Sequence, residues 1–461
     1  MLNKLIMRAK LFVCSFFLIN GSYAFDLITA YEKALEYNAD YLASVAQNKS
    51  GQEKVIQGRA ALLPQISATG QMNENYLNAN GEMVYYNQPT LGISLSQTLY
   101  DFGKFSQYTK SKYATQVADL QLANAKSKLI VTIAQSYFDV LYAENSLNAI
   151  KMTKDSLEKQ LNQAKKSFDV GTVTIADVND AQSGFDTSVA DEIKAQNDYI
   201  NKKNIFQNLT GLDPNQIQPL TTEIGLIEPN PVKIESWSYM ARSANFNIKI
   251  ADKQLQMATE DIGIAKAGHL PSVNIVGSYN NQGALSIDGA DSAQTLAAYS
   301  NAISTPGSTL SSYSQAAVGV QVNIPLYNGG TISSQVRQSV ANYENSMQQL
   351  VSTKRQTDQD VQNAYWQVEN GINLVKAQTQ SLKSAFIKLK SDKIGYQIGL
   401  RNSVDLVNSQ KNYYQVLQNY NQARYQYLVF RLQLMYLIGS LDIDFLKNIN
   451  TNIKTSMENV N

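Results

Sequence analysis

The sequence predicts an α+β protein built from two copies of one unit, with very long helices carrying a small set of strands. Three observations lead there: an internal repeat, two long proline-free stretches with coiled-coil spacing, and four segments of alternating polarity lying between the helical stretches.

The repeat is read by matching the chain against itself. Ala60-Ala61-Leu62-Leu63-Pro64 matches Ala267-Gly268-His269-Leu270-Pro271, Leu99-Tyr100-Asp101-Phe102-Gly103 matches Leu326-Tyr327-Asn328-Gly329-Gly330, and Ala176-Asp177-Val178 matches Val404-Asp405-Leu406. The offset is 207 from Pro64 to Pro271 and 227 to 228 at the later pairs, so the second copy carries about 20 extra residues before Tyr327. Their composition from Ser286 to Ser312 is small and polar and predicts an exposed loop. Pro214, Pro219, Pro229 and Pro231 mark the linker between copies, which gives repeat 1 as 25–225 and repeat 2 as 226–445.

Proline cannot sit inside a helix without breaking its hydrogen bonds, and 104–213 and 331–461 contain none. Leu122, Leu129, Ile133, Val140, Ala143, Leu147, Ile150, Leu157, Leu161, Ala164 and Phe168 keep the 3,4 spacing of a coiled-coil seam, with Lys126, Ser136 and Lys154 as interruptions. Repeat 1 is therefore read as a helix from about Leu27 to Leu62, a long helix over 104–169 and a return helix over 177–209. Repeat 2 repeats the plan with helices over 234–268, 331–397 and 404–439. At 1.5 Å per residue the long helices reach roughly 100 Å. The Asn- and Thr-rich tail, 446–461, is read as disordered.

Strands are expected over 64–77, 88–100, 271–282 and 315–327. Val318, Val320, Val322, Ile324 and Leu326 alternate with small or polar residues, as do Leu91, Ile93 and Leu95. Each segment alone fits an ordinary hairpin on a soluble core. Four together, edged by Tyr76, Tyr100, Phe102, Tyr279 and Tyr327 in an exported chain, fit a transmembrane barrel. Export is read from Lys4, Arg8 and Lys10, the apolar run Leu11 to Ile19, and Ser22-Tyr23-Ala24: a signal peptide over 1–24, with Cys14 inside it and no lipid anchor. Four strands cannot close a barrel, and open strand edges are not tolerated in lipid, so the barrel must be shared among protomers.

Composition removes other classes. A net charge of +1 gives no electrostatic basis for nucleic acid binding. One His and one Cys leave almost no material for a His/Cys metal site or a Cys–His nucleophile pair, and GxxxxGK[ST], HExxH and GxSxG are absent, so neither enzyme chemistry nor a cofactor is expected. The mean hydropathy of -0.28 and the lack of a long apolar run beyond the leader exclude membrane-spanning helices. His269 is read as structural, and Trp237 and Trp366 as packing residues.

The tandem repeat, the junctions Leu63-Pro64-Gln65 and His269-Leu270-Pro271, the run Val322-Asn323-Ile324-Pro325-Leu326-Tyr327-Asn328-Gly329-Gly330 and the run Gly395-Tyr396-Gln397-Ile398-Gly399-Leu400-Arg401 together resemble the TolC family of outer-membrane efflux and secretion channels. The resemblance covers Phe25 to about Leu446. It implies a homotrimer whose twelve strands, four per chain, form one barrel in outer-membrane lipid, continued by a coiled-coil helical barrel in the periplasm. The implied role is the exit duct of tripartite drug efflux or type I secretion. Its partners would be a periplasmic adaptor (membrane fusion protein) and an inner-membrane transporter of RND, MFS or ABC type.

The resemblance further implies a periplasmic gate at the turns Gly171 to Ala176 and Gly399 to Ser403, where Asp177 of one hairpin bonds Tyr396 and Arg401 of its neighbour. Gly171, Thr172, Gly399 and Leu400 would contact the adaptor. Asp405 would form a ring of three carboxylates at the constriction, and Asn408 stands where the family has a second acid, which lowers the charge there. Spacing alone favours another reading of the same residues: Thr174 with Asp177, and Asn402 with Asp405, fit helix N-caps. A periplasmic coiled-coil scaffold, such as the adaptor itself, is the competing class, and the tandem duplication argues against it.

Overall fold

A computed structural model describes residues 24–79, 82–220, 224–282, 286–288 and 313–454. The leader up to residue 23, with Cys14, and most of the repeat 2 insertion lie outside the described residues.

Repeat 1 runs α1 (Leu27–Tyr37), α2 (Ala39–Ala60), β1 (Gln65–Ala79), β2 (Glu82–Tyr100), α3 (Phe102–Asp169) and α4 (Ile175–Thr210). Repeat 2 runs α5 (Ile234–Ala244), α6 (Phe246–Ala267), β3 (Ser272–Gln282), the short β4 (Ser286–Asp288), β5 (Tyr313–Asn323), α7 (Thr331–Gln397) and α8 (Ser403–Leu437), followed by α9 (Ile443–Lys454). The sequence offsets hold in space. α5 and α6 begin 207 residues after α1 and α2, and α8 begins 228 after α4.

The single helix expected at the start of each repeat is two. Asn38 and Asn245, 207 apart, leave the helical region with ψ of 116 and 130°, closing one helix and capping the next. The Asn38 side chain accepts from Tyr41 N, and that of Asn245 from Asn247 N and Ile248 N. Each amide also donates to the end of the return helix in its own repeat, Asn38 to Leu209 O at 3.5 Å and Asn245 to Leu437 O at 2.7 Å. An Asn inside an otherwise helical pattern carries the break, because its short polar side chain competes for backbone groups.

The helices pack around the two long ones. α2 lies along the first half of α3, where Gly51 and Gly58 bring its backbone against Ala118 and Ser111. α4 lies along the second half, joined by Lys154–Glu192 at 2.7 Å and Lys202–Asp139 at 3.0 Å. α7 and α8 form the equivalent hairpin, and α3 also packs against α6 and α8. The main core is a collar at mid-height, where Leu27, Tyr31, Ile133, Tyr137, Phe138, Phe206, Tyr427 and Leu432 are fully or almost fully buried. Trp237 belongs to it and donates Nε1–H to Pro231 O at 2.7 Å. Trp366 does not: half of it is exposed.

The tail is also corrected up to residue 454, while 455–461 lie outside the described residues. Residues 443–454 are helical, with Leu446 and Ile449 fully buried and Asn450 Nδ2 donating to Asp26 Oδ2 at 2.8 Å. Composition pointed to disorder, but Phe445, Leu446 and Ile449 supply an apolar stripe that suffices to dock one short helix on α1.

The sheet is antiparallel in the order β1-β2-β3-β5. Its register sorts the faces. Ile66, Leu95, Gly277 and Val318 form one cross-strand row and Ala68, Ile93, Tyr279 and Ala316 the next, whereas Ser67, Ser94, Ser278 and Ala317 line the other face. Val318 is 85% exposed and Ile66 73%, so the apolar face has no cover from the chain's own core. β1 and β2 pair out to Ala79 and Glu82, beyond the expected 77 and 88, and β4, within the segment read as a loop, adds to β2 opposite Tyr85–Asn87. β5 stops at Asn323 rather than 327, since Pro325 has no N–H for the ladder.

Candidate gate and constriction at the hairpin turns

Both helical hairpins end in the same turn. Val170 and Ile398 close the long helices, and Gly171 and Gly399 follow with φ of 75 and 77°, a left-handed conformation that glycine adopts without steric cost. Thr172 N donates to Ser167 O and Leu400 N to Gly395 O, reaching back over the last helical turn. The turns present apolar side chains to solvent: Leu400 is 77% exposed and Val170 73%, and Ile175 and Ile398 are also exposed. Such a patch on the far end of a hairpin fits protein contact. Thr172 and Leu400 lie within it.

The return helices start differently. At α4, Thr174 and Asp177 form a reciprocal capping box: Asp177 N donates to Thr174 Oγ1 at 3.3 Å, while Thr174 N and Oγ1 donate to Asp177 Oδ2 at 2.8 and 2.7 Å. The hydroxyl, then the backbone N–H, hold the Asp177 carboxyl below the usual carboxylate range. At α8, Asn402 accepts from Asp405 N at 2.8 Å but has no hydroxyl to return, and the Asp405 carboxylate faces Arg401 Nη1 at 3.8 Å instead. Asp405 is partly exposed, with the exposed Asn408 one turn on.

Arg401 is anchored further. Its Nε lies 3.5 Å from Asp392 Oδ1 on α7, and its stem crosses Gly395, where a Cβ would meet Arg401 Cγ at 2.8 Å. Asp392 is buried, and Lys388, one turn earlier, donates to it and is the main cause of its lowered pKa. Tyr396 OH donates to Gln163 Oε1 on α3 at 3.2 Å, so the two hairpins of one chain already touch there.

Within the chain, then, Asp177, Tyr396 and Arg401 are not joined by any hydrogen bond or ion pair among the described residues. The capping reading of Asp177 is what one chain contains. Gln163, Lys388 and Asp392 were not found from sequence; the i,i+4 spacing of Lys388 and Asp392 was the available signal. His269 is exposed at its helix-to-strand junction, and among the described residues no His/Cys/Asp/Glu group could hold a metal.

A sheet of four long strands with its apolar face exposed, running into helices of roughly 100 Å whose far ends carry matched turns, defines a channel subunit with a β membrane part and a helical extension. No helix among the described residues is long and apolar enough to cross a membrane. The chain matches the family described as outer membrane efflux protein over residues 30–212 and 237–440, and it belongs to that family of transport channels. It is 29% identical to outer membrane protein TolC of Vibrio cholerae over 95% of this chain and 96% of that one, and 24% identical to the proteases secretion protein PrtF of Dickeya chrysanthemi over 91% and 89%. Its fold is similar to that of the CmeC outer membrane channel of Campylobacter jejuni, with a TM-score of 0.73 at 18% identity over 93% of this chain and 89% of that one. VceC of Vibrio cholerae gives 0.70 at 17% identity, over 90% and 96%.

Proposed function

We propose that three copies of this chain close one 12-stranded barrel in the outer membrane and continue it as a helical duct through the periplasm, the exit path of tripartite drug efflux or type I secretion. One observation carries this reading: β1 and β5 are edges of a sheet with an apolar outer face, and such edges are tolerated in lipid only when another strand pairs with them. Pairing β5 of one protomer with β1 of the next closes the ring. Relatives named for protease secretion and for antibiotic efflux support both cargo classes.

The periplasmic end closes at the turns. Asp177 of one hairpin turns from its cap to Arg401 and Tyr396 of the neighbouring hairpin, and three Asp405 side chains approach the axis, with Asn408 adding no charge. The exposed turns around Gly171, Thr172, Gly399 and Leu400 seat a periplasmic adaptor that links an inner-membrane RND, MFS or ABC transporter. The chain reaches the envelope through a leader cleaved after Ala24.

Purified protein in mild detergent is expected to run as a trimer, fractionate with outer membranes and form pores in planar bilayers. A monomer carrying a complete pore would overturn this reading, since one chain offers too few strands. Deletion followed by paired tests of drug sensitivity and of the secreted proteome separates the two cargo classes.

A further inference from the structure

Away from the turns, the structure holds a cavity of about 400 Å³ between the linker, α5, α7, the end of α8 and the start of α9. Its walls are mostly apolar, from Ile227, Trp237, Met240, Leu434, Met435 and Phe445. One cation lines it, Arg431, whose Nη1 is buried and has no hydrogen-bond partner among the described residues. The guanidinium sits 5.6 Å from the ring centre of Phe445 and 5.8 Å from that of Tyr427, contacts that attract its charge without neutralising it. Arg431 has no ion pair among the described residues. The one acid of the lining, Glu228, is exposed at the rim.

A buried guanidinium N–H left unpaired is costly, and a guanidinium matches carboxylate and sulfate geometry better than any neutral group. The cavity lies in the size range of small-molecule sites, and an apolar wall with one oriented polar group is how such sites are composed. We propose that this cavity is a binding site for an amphipathic monoanion, with the acid head on Arg431 and the apolar body against Trp237, Met240 and Leu434. The wall is held in place independently of any ligand. Ile227 N donates to Tyr427 OH at 2.7 Å, and Tyr427 OH donates back to Ile227 O at 3.1 Å. The site is therefore largely formed in advance, which limits the ordering cost of binding.

Trp237 reports on the cavity, and the chain's only other tryptophan, Trp366, is half-exposed and outside it. The test uses the full-length protein in nanodiscs carrying Trp366→Phe, titrated with dodecanoate below its micelle concentration while Trp237 emission is followed. The expected result is a saturable change, at least about tenfold weaker for uncharged dodecanol, because one charge-assisted hydrogen bond is worth about that factor or more. Arg431→Gln should weaken dodecanoate by a similar factor, and Arg431→Lys should recover most of the loss. Equal affinity for dodecanol, or full affinity in Arg431→Gln, overturns the proposal. So does an unchanged emission, the result expected if a neighbouring protomer fills the cavity. Should Arg431→Gln fail to assemble, the comparison of dodecanoate with dodecanol on Arg431 itself decides.

Discussion

Arg401 Nε stands 3.5 Å from Asp392 Oδ1, so a residue expected to reach a neighbouring hairpin is held by a buried carboxylate of its own. Lys388 completes the cluster from the other side. Arg401 thus starts from an internal tether and shares its charge between Asp392 and Asp405.

The first prediction follows from the sign of that cluster. Asp392 and Asp177 both have folded pKa values depressed below the ordinary 3.8, by Lys388 and by Thr174 respectively. A depressed carboxylate contributes stability that is complete above its unfolded value and lost as pH falls through the folded one. Amide protection at the turns, the exchange rate taken relative to the intrinsic rate at each pH, should be constant from pH 7 to about 4 and fall below it. Asp392→Asn should flatten that acid limb for 388–405 and leave the limb around Asp177 intact. An unchanged limb would mean that Asp392 is not coupled to the turn.

The second prediction separates capping from closing. Tyr396→Phe with Arg401→Ser should raise resting conductance and admit large antibiotics with little change in melting temperature, because Arg401 is exposed and Tyr396 only half-buried within their own chain. Thr174→Ala should lower hairpin stability by the roughly 0.5 to 2 kcal/mol of an N-cap. A double-mutant cycle between Asp177 and Arg401, read as open-state conductance, should show coupling; strict additivity would leave Asp177 as a cap alone.

A third prediction addresses the constriction. Asp405→Ala should weaken block of single-channel conductance by multivalent cations, and Asn408→Asp, which doubles the acids of the ring, should strengthen it. If neither changes block, the ring is not at the narrowest point.

The fourth concerns the paired helix breaks. Gly211 and Gly439 end the two return helices with φ of 72 and 66°. A Cβ on Gly439 would collide with the backbone carbonyl of Ala244, whereas one on Gly211 would meet the ring of the exposed Tyr37, which can move. Gly439→Ala should therefore lower the melting temperature well beyond Gly211→Ala, with a cost above about 1 kcal/mol. Asn245→Ala should cost about 0.5 to 2 kcal/mol as a lost cap, more if the carbonyl of Leu437 finds no replacement donor.

What the sequence by itself determined is everything local in cause. The repeat, the proline-free helices, the alternating strands and the paired glycine turns follow from side-chain periodicity and backbone sterics, which act within a few residues and are repeated at the same offsets. Sequence also held both readings of Asp177, because a capping box is a local pattern. Only the tertiary structure decided the rest. Asn38 and Asn245 can cap a helix locally, but the break at each also meets the ends of α4 and α8, whose carbonyls accept from these amides and neither of which is near in sequence. Residues 443–454 are ordered because α1 offers a surface for Leu446 and Ile449, which composition cannot register. Arg401 meets Asp392 because the turn folds α8 back on α7, and Arg431 lines a largely apolar cavity because the linker, α5 and α9 converge there. Burial and pairing of charge depend on which segments meet, and that is a property of the packed chain rather than of any stretch of it.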